Sequence, residues 1–207
     1  MSLFNFIMLR ILTVTIAIFS TLIWAKPEVR LLQDNDENQN AILLAIVVLL
    51  ADNGSNVSGN LVLFQLPSNR GLLIKGTVNG LAPNTQHGFH VHQFGDLTNK
   101  CASVGDHYNP FGRFHGGPMD FIKHVGDLGN ITANANGTAN VRIVTNAFSL
   151  NNRFPVLGRS LVVHANVDDL GRGTAQTSKT TGNSGARVGC GVISIANPAI
   201  TPVPSET

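Results

Sequence analysis

Charge is scarce in this chain. Asp, Glu, Lys and Arg together make up 13% of its 207 residues, and the formal net charge is +2. With no basic stripe to neutralise phosphates, a nucleic-acid partner is excluded; with no acidic run, so is a solvating tail. Helical 3.6-residue periodicity is hard to find and no internal repeat is visible, which argues against a helical bundle or a solenoid. Cysteine is limited to Cys101 and Cys190. In a secreted chain two such residues are expected to pair, closing a loop of about 90 residues for a stabilisation on the order of 4 to 5 kcal/mol.

What remains is glycine, 21 residues of it, and short runs of Val, Ile and Leu within a composition that is 43% hydrophobic. That is enough apolar material for one core, and not for a second domain. Between turn signals the pattern predicts strands near 42–50, 61–66, 72–79, 86–93, 130–134, 139–145, 160–166 and 188–195. Eight short strands make an all-β sandwich or barrel. Two connections, 93–129 and 167–187, exceed hairpin length, and such loops in a compact β domain tend to carry function.

The ends read differently. Arg10 precedes ILTVTIAIFSTLIW and then Ala25, a secretory signal pattern with cleavage expected after Ala25. Counting back to Phe4 lengthens the apolar stretch toward the alternative of an uncleaved anchor. Either way the rest lies outside the cytosol, and after cleavage no membrane contact is expected. Residues 26–40, with QDNDENQN, form a polar linker; residues 197–207, with Pro198, Pro202 and Pro204, form a flexible tail. Sequons at Asn56, Asn130 and Asn136 are compatible with glycosylation.

Histidine carries the chemistry. In HGFHVHQFGD, His90 and His92 fall two apart on a predicted strand and share a face, which suits a transition metal, although such a pair alone reads first as two exposed polar residues. The first long loop holds His107, His115, His124 and Asp127, a plausible tetrahedral zinc set whose spacing matches no zinc-finger rhythm. His164, on a strand beside valines, reads alone as a satisfied core residue. Together with His90 and His92 it could complete an imidazole site.

Six motifs in order, HGFHVHQFGD, HYNP, HGGP, KHVGDLGN, GRSLVVHANVDDLG and TTGNSGARVGCGVI, resemble the copper/zinc superoxide dismutases from about Ala41 to Ala196. The resemblance implies a domain over 41–196 built as an eight-stranded Greek-key β-barrel or sandwich with two long functional loops. It also implies dismutation of superoxide to oxygen and hydrogen peroxide, one copper and one zinc per subunit, and a homodimer. Matched position by position, His90, His92, His107 and His164 become copper ligands; His107, His115, His124 and Asp127 become zinc ligands. His107 would bridge the metals and Asp168 would tie His90 to His115. Arg187 becomes the residue that guides superoxide, and Cys101 and Cys190 the disulfide. His87 matches a structural position.

Departures are visible as well. Asn166 stands where relatives often have lysine, and GRGTAQTSK offers Arg172 and Lys179 with no acidic residue. Phe94, Gly95, Leu157 and Gly158 match dimer-contact positions. A secreted copper carrier or an inactive decoy on the same scaffold is the competing reading, since fold and a metal site do not establish turnover.

Overall fold

The computed structural model describes residues 44–66, 70–197, 199 and 201. The expected signal 1–25, the linker 26–40 and most of the tail lie outside these residues.

Alternation builds the first strands. In β1 (Leu44–Ala51), Ala45, Val47 and Leu49 are buried while Val48 and Leu50 face outward, the period-2 signature of a strand with one face on a core. β2 (Ser58–Gln65) and β3 (Leu72–Asn79) continue the meander. They are followed by β4 (Gln86–His92), β5 (Asp127–Thr132), β6 (Ala139–Thr145), β7 (Ser160–His164), β8 (Arg187–Val192) and the short β9 (Ser194–Ile195).

All pairings between these strands are antiparallel, in the order β5-β4-β7-β8-β1-β2-β3-β6, with β9 also on β1. The two ends of that order, β5 and β6, are consecutive in sequence and approach each other, so the barrel is nearly closed. Because β3 leads to β4 and β6 leads to β7, two connections cross the barrel in Greek-key fashion. Inside lie Leu61, Leu63, Ile74, Phe89, Val91, Leu161 and their neighbours.

β4 and β7 break the alternation in a telling way. All five residues of β7 are buried, and so are all but the first of β4. Phe89, Val91, Leu161 and Val163 pack on the barrel core, so His90, His92, Val162 and His164 point to the other side, and there the two long loops cover them. This outer wall, not the barrel interior, receives the histidines.

The loops are held by the backbone. Val91 and Tyr108 are joined through Tyr108 N to Val91 O (2.8 Å), and Gly126 closes on both residues at 2.9 Å. Cys101, in a short helical turn over Lys100–Ala102, is disulfide-bonded to Cys190 of β8 across a Cα separation of 5.7 Å. The pair packs on Val104 and Val162.

Three sequence expectations need correction. β5 begins at Asp127, not 130, because Asp127 pairs with His90 across a bulge in β4, which makes this residue the first of a strand and not part of the loop. The strand expected over 188–195 is interrupted at Ile193. Its N–H bonds to Arg159 O (2.8 Å) and its carbonyl accepts from Gly158 N–H (2.9 Å), leaving only Ser194 and Ile195 to rejoin β1. The second loop contains one helical turn, Ser178–Thr181.

Candidate metal centre

Two groups of buried side chains converge on the outer wall, and His107 belongs to both. His90 and His92 come from β4, His164 from β7, and His107 is brought in by a backbone bridge opposite His92. The second group is His107, His115, His124 and Asp127. In each group the nearest nitrogen or oxygen atoms lie within 4.8 Å of one another.

The proton positions show what these groups are built for. A carbonyl or carboxylate oxygen only accepts here, so each histidine facing one must donate the proton on that nitrogen. His92 Nδ1 donates to Gly105 O (2.9 Å) and His164 Nδ1 to Gly185 O (3.1 Å). His90 Nε2 donates to Asp168 Oδ2 (2.9 Å) and His115 Nε2 to Asp168 Oδ1 (2.8 Å). In the neutral rings the opposite nitrogen is then a bare lone pair.

Those lone pairs face each other. His92 Nε2 and His164 Nε2 are 3.3 Å apart with their protons already committed elsewhere; His90 Nδ1 and His107 Nε2 are buried with no hydrogen-bond partner among the described residues. In the second group, Nδ1 of His107, His115 and His124 lie 3.0, 3.0 and 3.2 Å from one oxygen, Asp127 Oδ1. Unpartnered buried acceptors are costly. Convergent ones fit a cation in each group: imidazoles alone suit copper, and three imidazoles with a carboxylate suit zinc.

Electrostatics agree with neutral, ligating rings. Burial, reinforced by His107 and His164, holds His90 and His92 well below the usual histidine range. Burial also lowers His107, against the pull of Asp127, and brings His164 down to about 4. His115 goes the other way. Burial would lower it, but hydrogen bonding to Asp127 and Asp168 raises it to about 9, so without a metal a proton occupies that place. Asp127, despite burial, is held far below the usual carboxylate range by His107, His115 and His124.

Asp168 spans the two groups through its two oxygens, and it is itself fixed. The Asn130 side chain donates through Nδ2 to Asp168 O (2.9 Å) and accepts through Oδ1 from Asp168 N–H (2.8 Å). Gly182, with φ of +64°, closes behind: a Cβ there would fall on Asp168 Oδ1 and within 2.6 Å of His115 Nε2. The sequence marks Asn130 only as a sequon. Nothing in residue spacing announces its place beneath Asp168.

Arg187 is the other contributor. Its Nη1 donates to Cys101 O (2.7 Å) and its Nη2 to Gly105 O (2.6 Å), while the side chain stays partly open to solvent. Its backbone pairs with His164. His87, buried, donates from Nδ1 to His164 O (2.8 Å) and belongs to neither group of potential ligands. Arg172 finds an acidic partner outside GRGTAQTSK: its guanidinium meets Asp120 of the first loop at 2.8 and 3.0 Å.

A nearly closed Greek-key β-barrel with two fused His-rich sites sharing one imidazole defines a binuclear metalloprotein. Residues 57–193 match the sequence model of the family described as copper/zinc superoxide dismutase. The chain is 54% identical over 166 residues to an extracellular superoxide dismutase (Cu-Zn) of Onchocerca volvulus, covering 78% of this chain and 81% of the relative. It is 49% identical to an extracellular superoxide dismutase (Cu-Zn) of Brugia pahangi, covering 73% and 76%. With superoxide dismutase (Cu-Zn) 3 of Arabidopsis thaliana identity is 46%, covering 76% and 93%. The chain belongs to the copper/zinc superoxide dismutase family.

Proposed function

We propose that His90, His92, His107 and His164 hold one copper, and that His107, His115, His124 and Asp127 hold one zinc, in an enzyme that dismutates superoxide. The observation that carries this reading is His107, whose Nε2 faces the first group unpartnered while its Nδ1 lies 3.0 Å from Asp127 in the second. Bound copper supplies the electron exchange, cycling between Cu(II) and Cu(I), and zinc supplies a fixed charge and geometry.

The chain's own groups do the rest. Two superoxide anions and two protons become one dioxygen and one hydrogen peroxide, so the site must attract an anion and deliver protons. Arg187, at the solvent edge beside His164, attracts and orients the anion. His107 Nε2 is the atom on which a proton can be carried toward the departing peroxide, having no hydrogen-bond partner among the described residues. Asp168 holds the proton-bearing nitrogens of His90 and His115 and so fixes which nitrogen each ring offers.

Three features complete the proposal. The disulfide and the extracellular names of two relatives support secretion, with cleavage of the signal after Ala25. Exposed Phe94, at 55%, next to Gly95, and Leu157 next to Gly158, support a homodimer through that face. Asn56 and Asn136 are exposed and open to glycans, whereas the Asn130 amide nitrogen is committed to Asp168.

A copper carrier or inactive decoy is not favoured, since it would have no use for an arginine anchored beside His164. The deciding experiment loads the secreted protein with copper and zinc and measures superoxide consumption. Turnover with one copper and one zinc per subunit is expected. Binding of both metals without turnover overturns the enzymatic reading.

A further inference from the structure

The loop between β4 and β5 carries large apolar side chains that serve neither the metal groups nor the core. Met119 is 94% exposed, Phe121 88%, Phe114 65% and Ile122 56%. Beside them lies a groove of about 550 Å³ that is walled by Phe111, Phe121 and Phe154 and bears three cationic residues, Arg113, Lys123 and Arg153. Arg113 sits over the rings of Phe111 (5.1 Å) and Phe121 (5.7 Å), and Arg153 sits over Phe154 (5.0 Å). The one carboxylate within residues 111–123, Asp120, is already paired with Arg172 at 2.8 Å. The patch is therefore apolar at its tip and positive at its rim, where Lys123 lies near Asp120 and Asp127 while Arg113 and Arg153 have no ion-pair partner among the described residues.

That combination selects its partner. Side chains standing almost wholly in water from one loop are protrusions, and a folded partner would need shaped recesses to take them. A fluid bilayer interface accepts Phe, Met and Ile without such recesses, and its phosphates and carboxylates answer the cations.

We propose that this loop docks the protein peripherally on anionic phospholipid membranes, with Met119, Phe121 and Ile122 entering the headgroup region and Arg113, Lys123 and Arg153 meeting the lipid anions. The binding is additional to superoxide chemistry and departs from the expectation of no membrane contact. None of the six side chains named as meeting lipid is a metal ligand, so turnover can fail while docking holds, and the reverse.

Trp24, the chain's single tryptophan, leaves with the signal, so Phe121→Trp in the secreted protein is a local reporter, with copper and zinc contents measured to verify the folded state. On phosphatidylserine-containing vesicles the emission should shift to the blue and be quenched by brominated acyl chains; on phosphatidylcholine alone it should not. Arg113→Gln and Arg153→Gln should each weaken the apparent affinity about fivefold, and Met119→Ser with Ile122→Ser should abolish the shift. Emission unchanged on anionic vesicles overturns the proposal, as does binding indifferent to the arginines. An equal shift with short-chain phosphatidylserine monomers would reveal a small-ligand groove and also overturn it. Should the reporter variant misfold, sedimentation of the unsubstituted secreted protein with the same vesicles, compared with its Arg113→Gln/Arg153→Gln variant, decides the matter: equal sedimentation of the two overturns the proposal.

Discussion

His92 and Arg187 meet at a single oxygen atom. The carbonyl of Gly105 accepts from His92 Nδ1 at 2.9 Å and from Arg187 Nη2 at 2.6 Å. Gly105 adopts φ of +75°, a backbone that other residues rarely take, and a Cβ there would press on Gln93 and Phe94. One glycine thus sets the ring that faces the first metal group and the cation at its mouth.

Arg187→Gln should lower kcat/KM about tenfold or more and flatten its dependence on ionic strength. Arg187→Lys should keep the salt dependence but lose part of the rate, because an ammonium cannot hold two carbonyls in fixed fork geometry. Stopped-flow superoxide decay across a salt series checks both. Equal salt slopes for the Gln variant and the parent would remove the steering role.

Cutting the disulfide should act on catalysis as well as on stability. Cys101→Ser should cost about 2 to 5 kcal/mol in unfolding. It also loosens the Cys101 carbonyl that receives Arg187 Nη1 at 2.7 Å. Activity per bound copper should therefore fall under conditions where the protein is still folded, measured as rate against metal content.

Zinc uptake should release a proton at neutral pH. The His115 pKa in the metal-free protein is raised from its ordinary 6.5 to about 9. Protonated His115 therefore stabilises the metal-free fold fully below about 6.5, and that contribution is lost as pH rises through about 9. Asp127 works in the opposite direction: its depressed pKa contributes above its ordinary 3.8 and is lost as pH falls through the folded value. At pH 7 zinc must displace the His115 proton, and about one should appear in solution; near pH 10 none should. Indicator-dye titration with zinc at the two pH values distinguishes them.

Asn130→Ala should weaken metal binding without touching a ligand. Losing both bonds to the Asp168 backbone frees the carboxylate that orients His90 and His115. A decrease of about 10- to 100-fold in affinity is expected, read by competition with a chelator. Gly182→Ala should do the same, since its methyl would strike Asp168.

How much of this was legible beforehand follows from where information sits in a chain. Strands Leu72–Asn79 and Ala139–Thr145 fall where the sequence predicts them, because turn signals bound both and the second also alternates. Asp127 reads as loop in the sequence, since a strand that starts on a buried carboxylate gives no apolar cue until Leu128. The sharing of His107 could not come from spacing: its position is set by pairing with His92, fifteen residues earlier in sequence. The motifs supplied that link through family resemblance alone. Asn130 and the Gly105 carbonyl stayed hidden for a simpler reason. One looked like a glycan site, and the other is a backbone oxygen, which has no letter in a sequence.

The position of the histidines on the barrel's outer wall separates two kinds of durability. The hydrophobic interior around Leu61, Ile74, Phe89 and Leu161 contains none of the prospective ligands. Emptying or refilling the ion sites therefore disturbs the roof and leaves the foundation standing. Amide exchange in β1, β2, β3 and β6 should be slow with or without bound ions, while residues 105–126 and 165–186 should change from labile to protected when the ions arrive.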